Sequence, residues 1–181
     1  MDQGHMSPNR LAAVVYDDGD SVDALLSAFA RELLEAGTDI AGLVQMPPAE
    51  GSCGPSAPMC LRDVRTGMVL PIGQDLGPGA RSCKLDPGAL AAAAVMLRAM
   101  AERPCDLLFI SKFSKQEAAG RGFRDEFAFA VEHGRTVLTG VRRGLVHHWL
   151  DFTGGDGTLL DCRLSALRHW WSGVSPPRLA A

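Results

Sequence analysis

No apolar run in this chain approaches the roughly 18 residues that a membrane-spanning helix needs, and no leader pattern opens it. A membrane span is therefore not expected. A basic excess is missing too: 18 Lys and Arg stand against 21 Asp and Glu. That balance argues against nonspecific nucleic-acid binding, which needs a positive surface. The five cysteines, Cys53, Cys60, Cys83, Cys105 and Cys162, include no CxxC pair and match no zinc spacing. A disulfide framework is not expected without a secretory signal, and a cytoplasmic setting fits better. Cys105 and Cys162 flank apolar runs and read as core fillers. Whether Cys53, Cys60 and Cys83 meet in space, as a soft-metal site would require, is left open. There is no internal repeat. The phosphate-binding pattern GxxxxGK[ST] is also absent.

What is present is an alternation of short buried runs with helical stripes. Residues 1–5, Met-Asp-Gln-Gly-His, read as an appended scar, with the native start expected at Met6. Residues 11–16 form a first strand, and Asp20 or Ser21 is expected to cap the helix that follows. Leu25, Leu26, Phe29, Leu33 and Leu34 give that helix its apolar stripe, and Gly37 stops it. Residues 40–44 form a second strand. A Pro- and Gly-rich loop over 46–58 precedes a hairpin, residues 61–64 and 68–72 around Arg65-Thr66-Gly67. A second Gly/Pro segment over 77–84 leads to Asp86-Pro87, a cap and first-turn proline for a helix over 88–102. Residues 107–110 and 137–141 are buried strands separated by a polar loop and a helix. A short helix over 144–150, a strand over 158–161 and a helix over 164–171 complete the order. The expectation is one α/β domain over 6–174, its sheet mainly parallel with helices on both faces and a β-hairpin after the second strand. Residues 175–181 are expected to be a loose tail.

In such sheets ligands bind beyond the carboxyl ends of the strands. Lys112 abuts a buried strand there, followed by Ser114, Lys115 and Glu117. Arg81 and Lys84 flank Cys83 in a glycine-rich loop, Arg121 and Arg124 open the next helix, and Arg142 and Arg143 follow the strand 137–141. Brought together, these cations would suit a multiply charged anion. Glu117 would pair with Lys112 or Lys115, or orient a bound group. Gly120 and Gly122 either permit close backbone approach or relax the loop. The loop after the first strand, Asp17-Asp18-Gly19-Asp20-Ser21-Val22-Asp23, offers four carboxylates and no lysine. Those carboxylates either cap a helix or hold a divalent cation. His147 and His148 point about a hundred degrees apart on a helix, which argues against joint ligation. Trp149, Trp170 and Trp171 read as core or interface.

The segments LAAVVYDDGDSVDALLSAFA, GLVQ, LGPGARSCKLDPGAL, LLFISKFSKQEAAGRGFRDEFAFAV and TVLTGV resemble an uncharacterised bacterial family. Its members are often encoded beside molybdate ABC-transporter genes. The order of elements is also similar to small P-loop nucleoside-triphosphatases with a hairpin after the second strand. That resemblance implies a phosphate-binding first loop, here reaching Gly19 and Ser21, and an acidic pair after the central strand. This chain departs at both points, since the loop has no lysine and the strand end is Ser111-Lys112. Hydrolysis by the P-loop route is therefore not expected. Lys112 is expected to supply the missing positive charge from the opposite wall of the crevice.

The resulting expectation is a degenerate P-loop protein that binds a nucleotide, with magnesium, or a molybdate- or tungstate-type oxyanion. The expected ligand contacts are Lys112, Lys115, Arg81, Lys84, Gly19, Ser21 and Arg121, with Glu117 orienting a lysine. No catalytic residue is assigned. One alternative is a metal-dependent nucleotide phosphohydrolase, with magnesium on Asp17, Asp18 and Asp20. Another is a non-enzymatic partner of a transporter or molybdoenzyme maturation factor, docking through Trp170 and Trp171, with a homo-oligomer also open.

Overall fold

A computed structural model describes residues 9–47, 59–74 and 85–176. Five strands run parallel: β1 (Leu11–Tyr16), β2 (Ile40–Gln45), β5 (Leu107–Ile110), β6 (Val137–Arg142) and β7 (Thr158–Asp161). Two more, β3 (Cys60–Asp63) and β4 (Val69–Pro71), form the antiparallel hairpin after β2. The sheet order is β4-β3-β2-β5-β6-β1-β7. The expected α/β class, mainly parallel sheet and hairpin are all found, in an arrangement consistent with a P-loop-like domain.

The helices are α1 (Val22–Glu35), α2 (Pro87–Glu102), the short α3 (Lys115–Ala118), α4 (Arg124–Glu132), α5 (Val146–Thr153) and α6 (Leu164–Val174). Alternating strand residues feed two separate cores, because successive side chains in a strand point to opposite faces. Ala12, Val14, Ile40, Leu107, Phe109 and Leu138 pack with Leu26, Phe29 and Leu33 of α1 and Leu167 and Trp170 of α6. Ala13, Leu43, Leu108, Ile110, Val137 and Val141 pack with Ala93 and Leu97 of α2, Phe127 of α4 and Trp149 of α5. Both faces are thus covered, which explains strands that read as continuous apolar runs. Among the described residues, no helix is long and apolar enough to cross a membrane.

Gly42 holds the middle of the sheet at φ 115°, and a Cβ there would collide with the backbone of Phe109 on β5. Only glycine permits that approach. Asp86 caps α2 as expected, its carboxylate accepting from the Ala89 amide at 2.9 Å. Trp149 is fully buried beside Phe113, and Trp170 is buried with its Nε1 donating to the Asn9 carbonyl at 3.2 Å. A docking role for Trp170 is therefore corrected, since its ring fills the core. Cys60, buried on β3, is disulfide-bonded, which corrects the expectation that the cysteines form no disulfide, while Cys105 and Cys162 are free and half-buried.

Candidate functional site

β1 is followed by α1 on one face of the sheet, whereas its neighbour β6 is followed by α5 on the other. Chains that leave adjacent strands in opposite directions open a crevice between the strand ends. Three segments meet there: the acidic loop after β1, the chain after β5 and Arg142-Arg143 at the end of β6.

The chain after β5 does not turn away at Ile110. It runs on beside β6, with the Phe113 amide donating to the Gly140 carbonyl at 2.9 Å and Thr139 Oγ1 donating to the Ser111 carbonyl at 3.3 Å. Lys112 is thereby carried across β6 towards α1. Gly140 makes the crossing possible, because a Cβ there would stand 3.3 Å from Lys112 Cγ and 3.1 Å from Val22 Cγ2. At the end of the crossing, Lys112 Nζ donates to Asp23 Oδ2 at 3.0 Å, with side-chain exposures of 19% and 14%. The ammonium also lies 5.9 Å from the centre of the Tyr16 ring. Burial pushes the Asp23 carboxyl above its ordinary range, and Lys112 pulls it back only in part. Burial, then the Asp23 charge, raises the Tyr16 hydroxyl.

Above this pair the loop closes on itself. The Asp17 amide donates to Asp20 Oδ2 at 2.8 Å, and the Asp20 amide donates to the Asp17 carbonyl at 3.1 Å. Asp20 is therefore not the helix cap. Ser21 occupies the cap position, but its side chain makes no capping bond, so the first amides of α1 are left without one. Gly19 and Ser21 are exposed, with open space around Gly19. Arg143 Nε donates to Asp17 Oδ2 at 2.7 Å, and Arg142 pairs with Asp18. A groove of about 530 Å³ continues from Asp20 and Arg143 between the ends of β1 and β7, past Val146, Leu159, Asp161 and Cys162.

Lys112, Arg142 and Arg143 thus stand around the crevice, but its mouth is not an unbalanced positive pocket. Each cation faces its own aspartate. The pairing also weakens the alternative of magnesium held by Asp17, Asp18 and Asp20, since two of these carboxylates engage arginines. Among the described residues, no group of three His, Cys, Asp or Glu side chains could hold a metal ion.

Glu117 does not orient a lysine. It is 3% exposed, and its oxygens accept from the Ser114 amide at 2.8 Å, Ser114 Oγ at 2.5 Å and the Phe123 amide at 2.9 Å. The physical reason is local: a capping box starts α3 and the same carboxylate ties down the turn beyond it. Gly122, at φ 64°, leaves room for that carboxylate, since a Cβ would strike Glu117 Oε1. Lys115 and Arg121 are exposed and are not bonded to the Lys112–Asp23 pair. Arg121 lies in the turn before α4 rather than opening it. Arg81, Lys84, Cys53 and Cys83 lie outside the described residues. Sequence reasoning missed the pairing of Asp23 with Lys112. Its one advance signal was Gly140, a lone glycine in an apolar strand, which marks a close approach.

A family model described as "Protein of unknown function (DUF2478)" matches residues 11–170. The chain belongs to the DUF2478 family. A curated relative is the molybdenum import ATP-binding protein ModC 2 of Bradyrhizobium diazoefficiens, 44% identical over 175 residues. The match covers 97% of the DUF2478 chain but 19% of that protein, so the chain spans about one fifth of its relative's length. No solved structure matches.

Proposed function

We propose that this DUF2478 domain is an anion-binding module of molybdenum handling, working on the cytoplasmic side and carrying out no hydrolysis. Its ligand is a tetrahedral oxyanion, either a free molybdate or tungstate or the terminal phosphoryl group of a nucleotide. The observation that carries this reading is the position of Lys112. A mostly buried ammonium faces the uncapped start of α1, at the crevice where parallel α/β sheets take their ligands. The similarity to ModC 2 supports molybdenum as the context, and suggests a transporter component as partner. Against hydrolysis stand the loop without lysine, the strand end without a carboxylate, and Asp17 and Asp18 drawn into ion pairs.

Calorimetric titration with molybdate, tungstate, phosphate and ATP tests the reading. Wild-type protein is expected to bind at least one of these, and Lys112→Ala to lose that binding. No binding to any of the four, or equal affinity in Lys112→Ala, would sink the proposal.

A further inference from the structure

Resting on that reading, we propose that Asp23 is the resident counter-ion of the Lys112 site, and that an entering oxyanion displaces it with uptake of one proton by the Asp23 carboxyl. Asp23 stands in the first turn of α1, where converging amides favour negative charge, and it holds Lys112 at 3.0 Å. Asp23 therefore occupies, from within the chain, the place that an external anion would seek. The ammonium is already engaged by this carboxylate, which stands in the first turn beside the uncapped helix start.

A second negative charge brought within a few ångströms of Asp23 is repelled strongly in a partly desolvated crevice. Protonation removes that repulsion: the carboxylate gains H⁺ and becomes a carboxylic acid, Lys112 stays an ammonium, and no other bond changes. The neutral acid then offers an O–H to an oxygen of the anion, turning an opponent into a donor. The titratable and charged groups that face Asp23 are Lys112 from the segment after β5 and Tyr16 from the end of β1. Arg142, from the end of β6, acts on Tyr16 and pairs with Asp18. Lys112 opposes protonation and burial favours it; burial is the larger influence. The site is thus poised to exchange a proton for an anion.

The test is titration of the whole chain with tungstate and, separately, with ATP, between about pH 6.5 and 8.5 in two buffers of different ionisation enthalpy. Proton linkage requires about one proton taken up per anion bound, and affinity that falls about tenfold per pH unit. The tungstate and ATP arms tell a free oxyanion from a nucleotide. Asp23→Asn, nearly isosteric, is expected to bind at least about tenfold tighter near pH 7.5, with no proton uptake and a flat pH profile. Thermal unfolding checks that the variant folds, and the wild-type proton count needs no variant at all. Wild-type binding without proton uptake, or an Asp23→Asn protein that binds no tighter, overturns the counter-ion proposal and leaves the anion site standing. Failure of both proteins to bind either ligand removes the anion site, and this proposal with it.

Discussion

The loop after β1 and the loop after β5 both follow parallel strands and both carry carboxylates, yet they use them in opposite ways. Glu117 accepts three hydrogen bonds from residues within six positions of itself. Asp17, Asp18 and Asp23 instead face cations supplied by β6 and by the segment after β5. The first arrangement is a fold device, complete without a ligand. The second depends on long-range pairing at a crevice, where an outside anion can compete. A polar loop at a strand end is therefore not one kind of object, and the partner of each charge decides which kind it is.

Substitutions that separate the two loops should follow that division. The largest effect is expected at Glu117, where Glu117→Ala leaves the buried Phe123 amide and the Ser114 donors without an acceptor. Hydrogen bonds to charged groups of this sort contribute about 1.5–3 kcal/mol each, so a loss of at least about 3 kcal/mol is expected. Thermal unfolding would register it as a Tm lowered by roughly 6–12 °C. Gly122→Ala is expected to cost about 1–2 kcal/mol, from its positive φ and the crowding of Glu117. A denaturant midpoint close to wild type in either variant would contradict the fold role of this loop.

In the loop after β1, the expected change is in pH dependence rather than in stability at neutral pH. The folded state holds the Asp23 proton more tightly than the unfolded chain does. Its contribution to stability therefore declines as pH rises from the ordinary 3.8 through the raised folded value, and is level above that. Asp23→Asn should flatten this decline in denaturation curves recorded across acid pH; an unaltered slope would show that Asp23 is not the group responsible. The smallest effect is expected for Arg142→Ala, since its pair with Asp18 is exposed and solvent screens such pairs. Its unfolding curve should overlay the wild-type curve.

Much of the fold was legible because strands covered on both faces and amphipathic helices leave separate periodic marks. The strand over 158–161, the Asp86 cap and the hairpin were all readable from local pattern. Helix α3 was not, because a single turn of helix leaves almost no periodicity; only its Ser114–Glu117 spacing pointed to it. Local spacing also misled at Asp20, whose carboxylate turns back to Asp17 instead of capping α1. At the site, Lys112 was legible as a charge against a buried strand. Its partner was not, because Asp23 lies 89 positions away and meets it only when β6 is placed between β5 and β1. Strand order is a long-range property that no local window carries.

The most direct test of the central claim is a crystal of the protein soaked in tungstate, read at the tungsten absorption edge. An oxyanion site at the crevice predicts an anomalous peak within about 4 Å of Lys112 Nζ, over the start of α1. A strong peak elsewhere with this crevice left empty would contradict it.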